Sequence, residues 1–372
     1  MPAQSYNIAV LPGDGIGAEI TQPCLDLLQQ ACGLAGEITV NTQILPAGAG
    51  HYRDHGESLP AHTLAAARQS DAILLAAMGL PAVRYPDGTE IAPQLDLRVD
   101  LGLYAGVRPV RLVPGIPPTL ADPRAAALDF VLVRESTEGL FASHGKGTVE
   151  DDRIAKDTLV ITRDTSERLF DFAFQLARQR RAQGRPGRLT CVDKANVFSS
   201  FAFFRKVFDE VAARYPDVEA DRMYVDAVAL TMVRRPWQFD VLVTENMFGD
   251  ILSDLGAGLI GGMGMAPSAD IGDSAAVFQP CHGSAPDIAG TGKANPTAMV
   301  LSAAMMLDWL GRRHNHAPTI AAGRRLIDAV DAAFAGRRLQ PVELGGSDGT
   351  ATITQAIADA LAVSSAPSAL AV

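Results

Sequence analysis

Short apolar runs at residues 7–11, 72–76, 130–133, 189–192 and 240–244 recur along the chain, separated by longer stretches with helical spacing of apolar residues. The runs read as buried strands. The longer stretches read as amphipathic helices, most clearly at residues 18–32, 166–183, 199–214, 297–313 and 319–336. Strands alternating with helices of this length predict an α/β architecture around an at least partly parallel sheet. Within residues 199–214, Phe201, Phe203, Phe204, Val207, Phe208 and Val211 form a broad apolar face, which must pack on this chain or on a second copy. The glycine-rich segment GAGLIGGMGMAPS, residues 256–268, reads as a flexible crossing between domains.

With 372 residues, 48% of them hydrophobic, the chain can bury a large core and is too long for one compact domain, so two are expected. A formal net charge of −10 without any Lys/Arg run argues against nucleic acid or an anionic membrane as partner. Cys24, Cys32, Cys191 and Cys281 form no CxxC pair, which fits reduced thiols in a cytoplasmic protein. The start, MPAQSYNIAVLPGDG, lacks the basic and long apolar portions of a secretion signal. The apolar run at residues 72–80 is too short to span a bilayer, and the Ala/Ser/Pro-rich residues 363–372 read as a frayed tail.

Candidate chemistry gathers in a few blocks. FDVLVTENMFGDILSD, residues 239–254, runs a strand into a helix carrying Asp250 and Asp254 four positions apart, hence on one face. Carboxylates held that close repel unless a cation lies between them, and hard oxygen ligands favour Mg²⁺ or Mn²⁺ over zinc. The alternative is a solvated acidic face. After the first strand, GDGIGA at residues 13–18 fits the dinucleotide fingerprint GxGxx[GA], although the pattern is short and many strand-to-helix turns need glycines. Lys194 lies in TCVDKANVF, after a strand and before a polar turn. Arg98, Arg108 and Arg134 stand near element ends, where guanidinium forks suit carboxylates. HGSAPDIAG, residues 282–290, and Asn295-Pro296 complete the set.

Taken in order, GDGIG, VDKANVF, FGDILSD, HGSAPDIAG and ANPTA resemble the metal-dependent β-decarboxylating dehydrogenases. That family includes isopropylmalate, isocitrate, homoisocitrate and tartrate/D-malate dehydrogenases, and the resemblance runs from about Tyr6 to Asp359. It implies an isopropylmalate-dehydrogenase-like two-domain α/β fold with a mixed sheet, not a Rossmann dinucleotide fold. The first domain would hold both chain ends, residues 1–103 and 261–372, and residues 104–260 would form the second with the dimer contact. By the same resemblance Arg98, Arg108 and Arg134 grip the carboxylates of a hydroxy-dicarboxylate, while Asp226, Asp250 and Asp254 hold Mg²⁺ or Mn²⁺. Lys194 is catalytic together with Asp226. Both would enter the site of the neighbouring subunit, so the working unit is at least a homodimer, with the phenylalanine-rich helix as part of its interface. NAD would lie along His282, Gly283, Ser284, Ala285, Pro286, Asp287, Ile288 and Asn295, not at the first glycine turn. Asp287 would accept a hydrogen bond from the ribose 2′-hydroxyl and repel a 2′-phosphate, which favours NAD⁺ over NADP⁺. K⁺ is expected as an optional accompanying ion.

The reaction so implied is oxidation of the C2 hydroxyl of a 3-substituted (2R)-malate such as 3-isopropylmalate, with Lys194 as general base, then loss of CO₂ and protonation at C3. Two positions depart from the family pattern. Seven residues after Arg134, where the pattern has a tyrosine that helps protonate C3, stands Phe141, with Ser143 and His144 as nearby substitutes. Four residues before Arg98, where isopropylmalate enzymes are apolar, stands Gln94, which makes tartrate or D-malate alternative substrates. Phe141 also opens two other readings, oxidation without decarboxylation and a non-catalytic regulatory subunit. Retention of Lys194 and all three aspartates argues against the latter. His51 and His55 have metal-ligand spacing but no third ligand near, and read as surface residues.

Overall fold

A computed structural model describes residues 3–336 and 338–363, so the expected frayed tail lies, apart from Val363, outside the described residues. The chain begins with β1 (Gln4–Gly13), α1 (Ile16–Ala35), β2 (Ile38–Ile44), α2 (Ala49–His55), α3 (Ala61–Gln69) and β3 (Ala72–Ala77). Helix α4 (Pro93–Asp100) leads to β4 (Ala105–Arg111), β5 (Asp129–Glu135) and a small hairpin of β6 (Thr148–Glu150) and β7 (Ile154–Lys156). There follow α5 (Arg163–Ala182), β8 (Arg188–Asp193), α6 (Ser199–Ala212), β9 (Glu219–Tyr224), α7 (Val225–Arg234), β10 (Val241–Thr244) and α8 (Asn246–Leu259). The last run is β11 (Pro267–Ile271), β12 (Ala276–Pro280), α9 (Thr297–Arg313), α10 (Ala317–Ala335) and α11 (Thr350–Val363).

Ten strands form one sheet in the order β2-β1-β3-β12-β11-β4-β5-β10-β8-β9. The outer strands pair in parallel on both sides, whereas β11 and β4 at the centre pair antiparallel with each other and with β12 and β5. The sheet is therefore mixed, as the family resemblance implied. Alternate residues of the inner strands feed two cores. Ile8, Val10, Leu74 and Ala76 enter the larger one, and Ala9, Leu11, Ile73 and Leu75 the smaller one on the opposite face. Burial on both faces explains why these strands read as unbroken apolar runs.

Two expectations change. The aromatic face of α6 is used within the chain: Phe204 and Phe208 stack on Phe170 of α5 with centroids 4.6 and 5.2 Å apart. Phe201 stacks on Phe248 of α8, so most of this face packs within the chain and Phe203 alone of its phenylalanines stays partly exposed. The glycine-rich segment 256–268 is not a loose crossing either. Its first residues finish α8, its last two start β11, and Ile260 and Met265 between them are fully buried. Gly256 packs closely on Val110 and Gly264 on Glu343. All four cysteines are free, as expected, and no helix among the described residues is long and apolar enough to cross a membrane.

Candidate active site

A cavity of about 290 Å³ opens over the middle of the sheet, where β12, β11, β4 and β5 lie side by side, and α4 and α8 wall it in. Helix α4 starts with proline at its first position and delivers Gln94 and Arg98; β4 delivers Arg108 and β5 delivers Arg134. All three arginines are buried. Helix α8 is capped by the Glu245 carboxylate, which accepts from the amides of Met247 and Phe248, and its exposed turns present Asp250 and Asp254 to the cavity.

Arg134 is held from α8. Its Nε and one terminal nitrogen donate to Asn246 Oδ1 at 2.9 and 2.6 Å, and its other terminal nitrogen donates to Asp250. Burial, with repulsion from Arg98, pulls the pKa of Arg134 down to about 10. A cluster under that strain is built to receive anions. The carboxyl of Asp254 is pushed up, by burial first and by Asp250 second, so this pair favours a cation. Gln94 Oε1 is buried without a hydrogen-bond partner, and so is His282 Nε2 at the cavity's other wall. Burial also holds the pKa of His282 below the ordinary imidazole value, which keeps it neutral.

Phe141 lies in the wall with its ring 5.1 Å from the Arg134 guanidinium carbon, so a residue without a proton to give occupies this place. It also borders a second cavity of about 400 Å³, which His144 lines. Ser143 is committed elsewhere, donating to Thr158 O and accepting from Thr158 N.

Lys194 and Asp226 do not line the arginine cavity of their own chain. Lys194 follows β8 in a turn fixed by Asp193, which accepts from the Ala195 amide and from Arg205. Its Nζ donates to Asp226 on the first turn of α7, and this contact holds the Asp226 carboxyl below its usual range. The pair thus forms a separate, partly exposed unit. Among the described residues, no three His, Cys, Asp or Glu side chains of one chain could together hold a metal ion. His51 and His55 merely stack, with centroids 4.3 Å apart.

The glycine turn after β1 is occupied by protein. The Ile16 amide donates to Ser284 O at 2.8 Å, and a Cβ on Gly15, whose φ is +56°, would sit 2.0 Å from that oxygen. Asp14 accepts from the amides of Ala49, Gly50 and Gly79. The turn therefore supports the 282–295 loop instead of a pyrophosphate. Glu19, which the sequence did not single out, completes that support by accepting from the amides of Gly290 and Ala294 and from Thr350 Oγ1. Along the loop Ser284 is buried, and Asn295 spends its amide on Glu343 and its oxygen on the Thr297 amide. Gly283, Pro286 and Asp287 are exposed, with Ala285 and Ile288 between, Ala285 in a left-handed turn at φ +37°.

A family model described as "Isocitrate/isopropylmalate dehydrogenase" matches residues 7–361. The chain belongs to this family. Its fold is shared with the solved isocitrate dehydrogenase from Methylococcus capsulatus, at a TM-score of 0.84 and 37% identity, covering 96% of this chain and 99% of that one. Among curated relatives, 3-isopropylmalate dehydrogenase of Moorella thermoacetica is 44% identical over 326 residues, 85% of this chain and 89% of the relative. The 3-isopropylmalate/3-methylmalate dehydrogenase of Methanocaldococcus jannaschii is 43% identical over 307 residues, 82% of this chain and 86% of the relative. As a member of the isocitrate/isopropylmalate dehydrogenase family, the protein is an NAD-dependent decarboxylating dehydrogenase.

Proposed function

We propose that this dehydrogenase oxidises and decarboxylates a 3-substituted (2R)-malate such as 3-isopropylmalate, using NAD⁺ and Mg²⁺ or Mn²⁺, in a homodimer whose sites are shared between subunits. One observation carries this reading: three buried arginines and the Asp250–Asp254 pair converge on one cavity, a constellation suited to a dicarboxylate and a cation together. The donor set fits a hard divalent ion, with Asp250 and Asp254 from one chain and Asp226 from a second copy. Bound there, that ion would supply Lewis acidity toward the C2 oxygen of the substrate. His282 Nε2 and the exposed Asp287 fit NAD⁺, which would supply the hydride acceptor.

The protein's own residues divide the remaining work. Arg98, Arg108 and Arg134 bind and orient the two carboxylates, which fixes C2 and C3 against the cofactor loop. Lys194 of a second copy takes the proton from the C2 hydroxyl. Once C2 is a ketone, the four-carbon frame loses the carboxylate on C3 as CO₂, the electron pair passes into an enolate, and C3 must then gain a proton. Phe141 has no proton to donate, so the proton on C3 comes from water or another group.

Exposed apolar side chains support the dimer. Leu230 and Val233 on α7 and Ile251 on α8, two helices that pack together, are each at least half exposed, and Val197 and Phe198 beside Lys194 are as well. The two lobes, residues 1–103 with 261–372 and residues 104–260, would meet at β11 and β4 beneath the cavity. A second reading has its own support: the unpartnered Gln94 Oε1 favours a hydroxylated or short arm, as in tartrate or D-malate. The test is NADH and CO₂ formation with Mn²⁺ and K⁺ across 3-isopropylmalate, D-malate, the tartrate isomers and isocitrate. Equal NADH and CO₂ on one malate is the expected result. NADH without CO₂ limits the reaction to oxidation, and turnover of none defeats the proposal.

A further inference from the structure

Asp270, on β11, has no part in the chemistry above, yet its carboxylate lies inside the arginine cluster. Arg98 Nε donates to Oδ2 at 3.1 Å and a terminal nitrogen of Arg108 donates to Oδ1 at 3.4 Å. Ser136 Oγ donates to Oδ1 at 3.0 Å and Gln279 Nε2 to Oδ2 at 2.8 Å. The residue is fully buried, and its cross-strand neighbour is Gly106, where a Cβ would stand 3.0 Å from Oδ1. Burial alone would push its pKa up, but Arg98 and Arg108 hold it below the ordinary carboxylate range, so it is ionised.

A buried carboxylate on the guanidiniums has a direct chemical consequence. It takes one edge of Arg98 and of Arg108, leaving the remaining edges for a ligand. It also cancels one positive charge of the Arg98 and Arg108 pair, while Arg134 is already paired with Asp250. We propose that Asp270 is a specificity-determining residue that acts through Arg98 and Arg108, matching the cavity to a dianionic malate and disfavouring a ligand with a third carboxylate. This rests on the reading that the arginines bind substrate carboxylates. Gln279 touches Asp270 and lines the cavity, so a carboxylate moved to that position stays in the same cluster.

The experiment is equilibrium binding, by calorimetry with Mn²⁺ present, of D-malate and of isocitrate, which have the same hydroxy-acid end and differ by one carboxylate in the arm. In the Asp270→Asn variant of the full chain, the ratio of isocitrate to D-malate affinity should rise about tenfold or more, as expected for removal of one like charge at close range. Adding Gln279→Glu to that variant should return the ratio toward the wild-type value. If Asp270→Asn does not fold, Asp270→Ser carries the same comparison. An unchanged ratio with both affinities falling together would make Asp270 a structural brace and overturn the proposal, as would a shift that Gln279→Glu leaves uncorrected. Binding by the wild-type protein without turnover of any malate would defeat the dehydrogenase proposal and leave this one standing. Binding of neither ligand to the wild-type protein would overturn both.

Discussion

Replacing Arg134 by glutamine should separate stability from substrate affinity, because the folded protein holds this cation against burial and the repulsion of Arg98. Arg134 is 3% exposed and shares its surroundings with Arg98 and Arg108. A pKa pulled down from the ordinary arginine value to about 10 means that the charged form is disfavoured in the folded state by about 3 kcal/mol. Because the folded value lies below the unfolded one, this penalty is complete at neutral pH and is relieved only as pH rises through about 10. Glutamine removes the charge and can still donate to Asn246 Oδ1. The hydrogen bonds it forfeits, worth about 1–3 kcal/mol, are then largely offset. Calorimetric unfolding should place the variant's Tm within about 3 °C of wild type. Steady-state NADH formation should show kcat/KM reduced at least about 100-fold, the effect of losing a charge-assisted fork on a carboxylate. A destabilisation above about 3 kcal/mol, the ordinary result of breaking a buried ion pair, would refute the argument that burial and repulsion penalise this cation. Retained activity would refute the role in binding.

Three other outcomes are expected. Phe141→Tyr places a hydroxyl in the cavity wall and should raise the CO₂ released per NADH, or accelerate turnover about tenfold if that ratio is already one; no change in either would mean that another group protonates C3. Mixing and reassociating the inactive variants Arg134→Gln and Lys194→Met should restore about a quarter of wild-type activity if each site draws on two chains, whereas a mixture as inactive as its components would place Lys194 in its own chain's site. Asp287→Lys should move cofactor preference toward NADP⁺ by about tenfold or more, read as the ratio of kcat/KM for the two cofactors, and an unmoved ratio would remove Asp287 from the ribose contact.

What could be read from the sequence depended on where each element is buried. Strands β1, β3, β5, β8 and β10 are covered on both faces and announce themselves as apolar runs, whereas β2 and β9 at the sheet edges carry mostly exposed polar residues and are silent. The central strands β4 and β11 are equally hard to see, since AGVRPVR and PSADI break the pattern with Pro109, Arg108 and Asp270, of which Arg108 lines the cavity and Asp270 holds its arginines. The arginines and the Asp250–Asp254 pair could be picked out by residue type and spacing. Asp270, Asn246 and Glu19 could not, because each acts on a partner more than 100 residues away that only the fold brings near, and Gln279 matters only through Asp270. One signal did point to Asp270: an acidic residue in the middle of an otherwise apolar or small-residue segment, PSADI, is costly unless it meets a cation.

The clamp made by Glu19 divides the 282–295 loop into two kinds of position. Gly290 and Ala294 are anchors, tied through one carboxylate to α1 and, by Thr350, to the start of α11. Asp287 is exposed and stands clear of that anchorage, so its identity has little bearing on whether the loop keeps its course, whereas Ile288 beside it packs on the core. Change at the exposed tip is therefore cheap for the fold. If this loop receives the nucleotide as proposed, a lineage carrying this architecture would exchange one preference for another by changes at the tip, while the same clamp would make the loop's course slow to evolve.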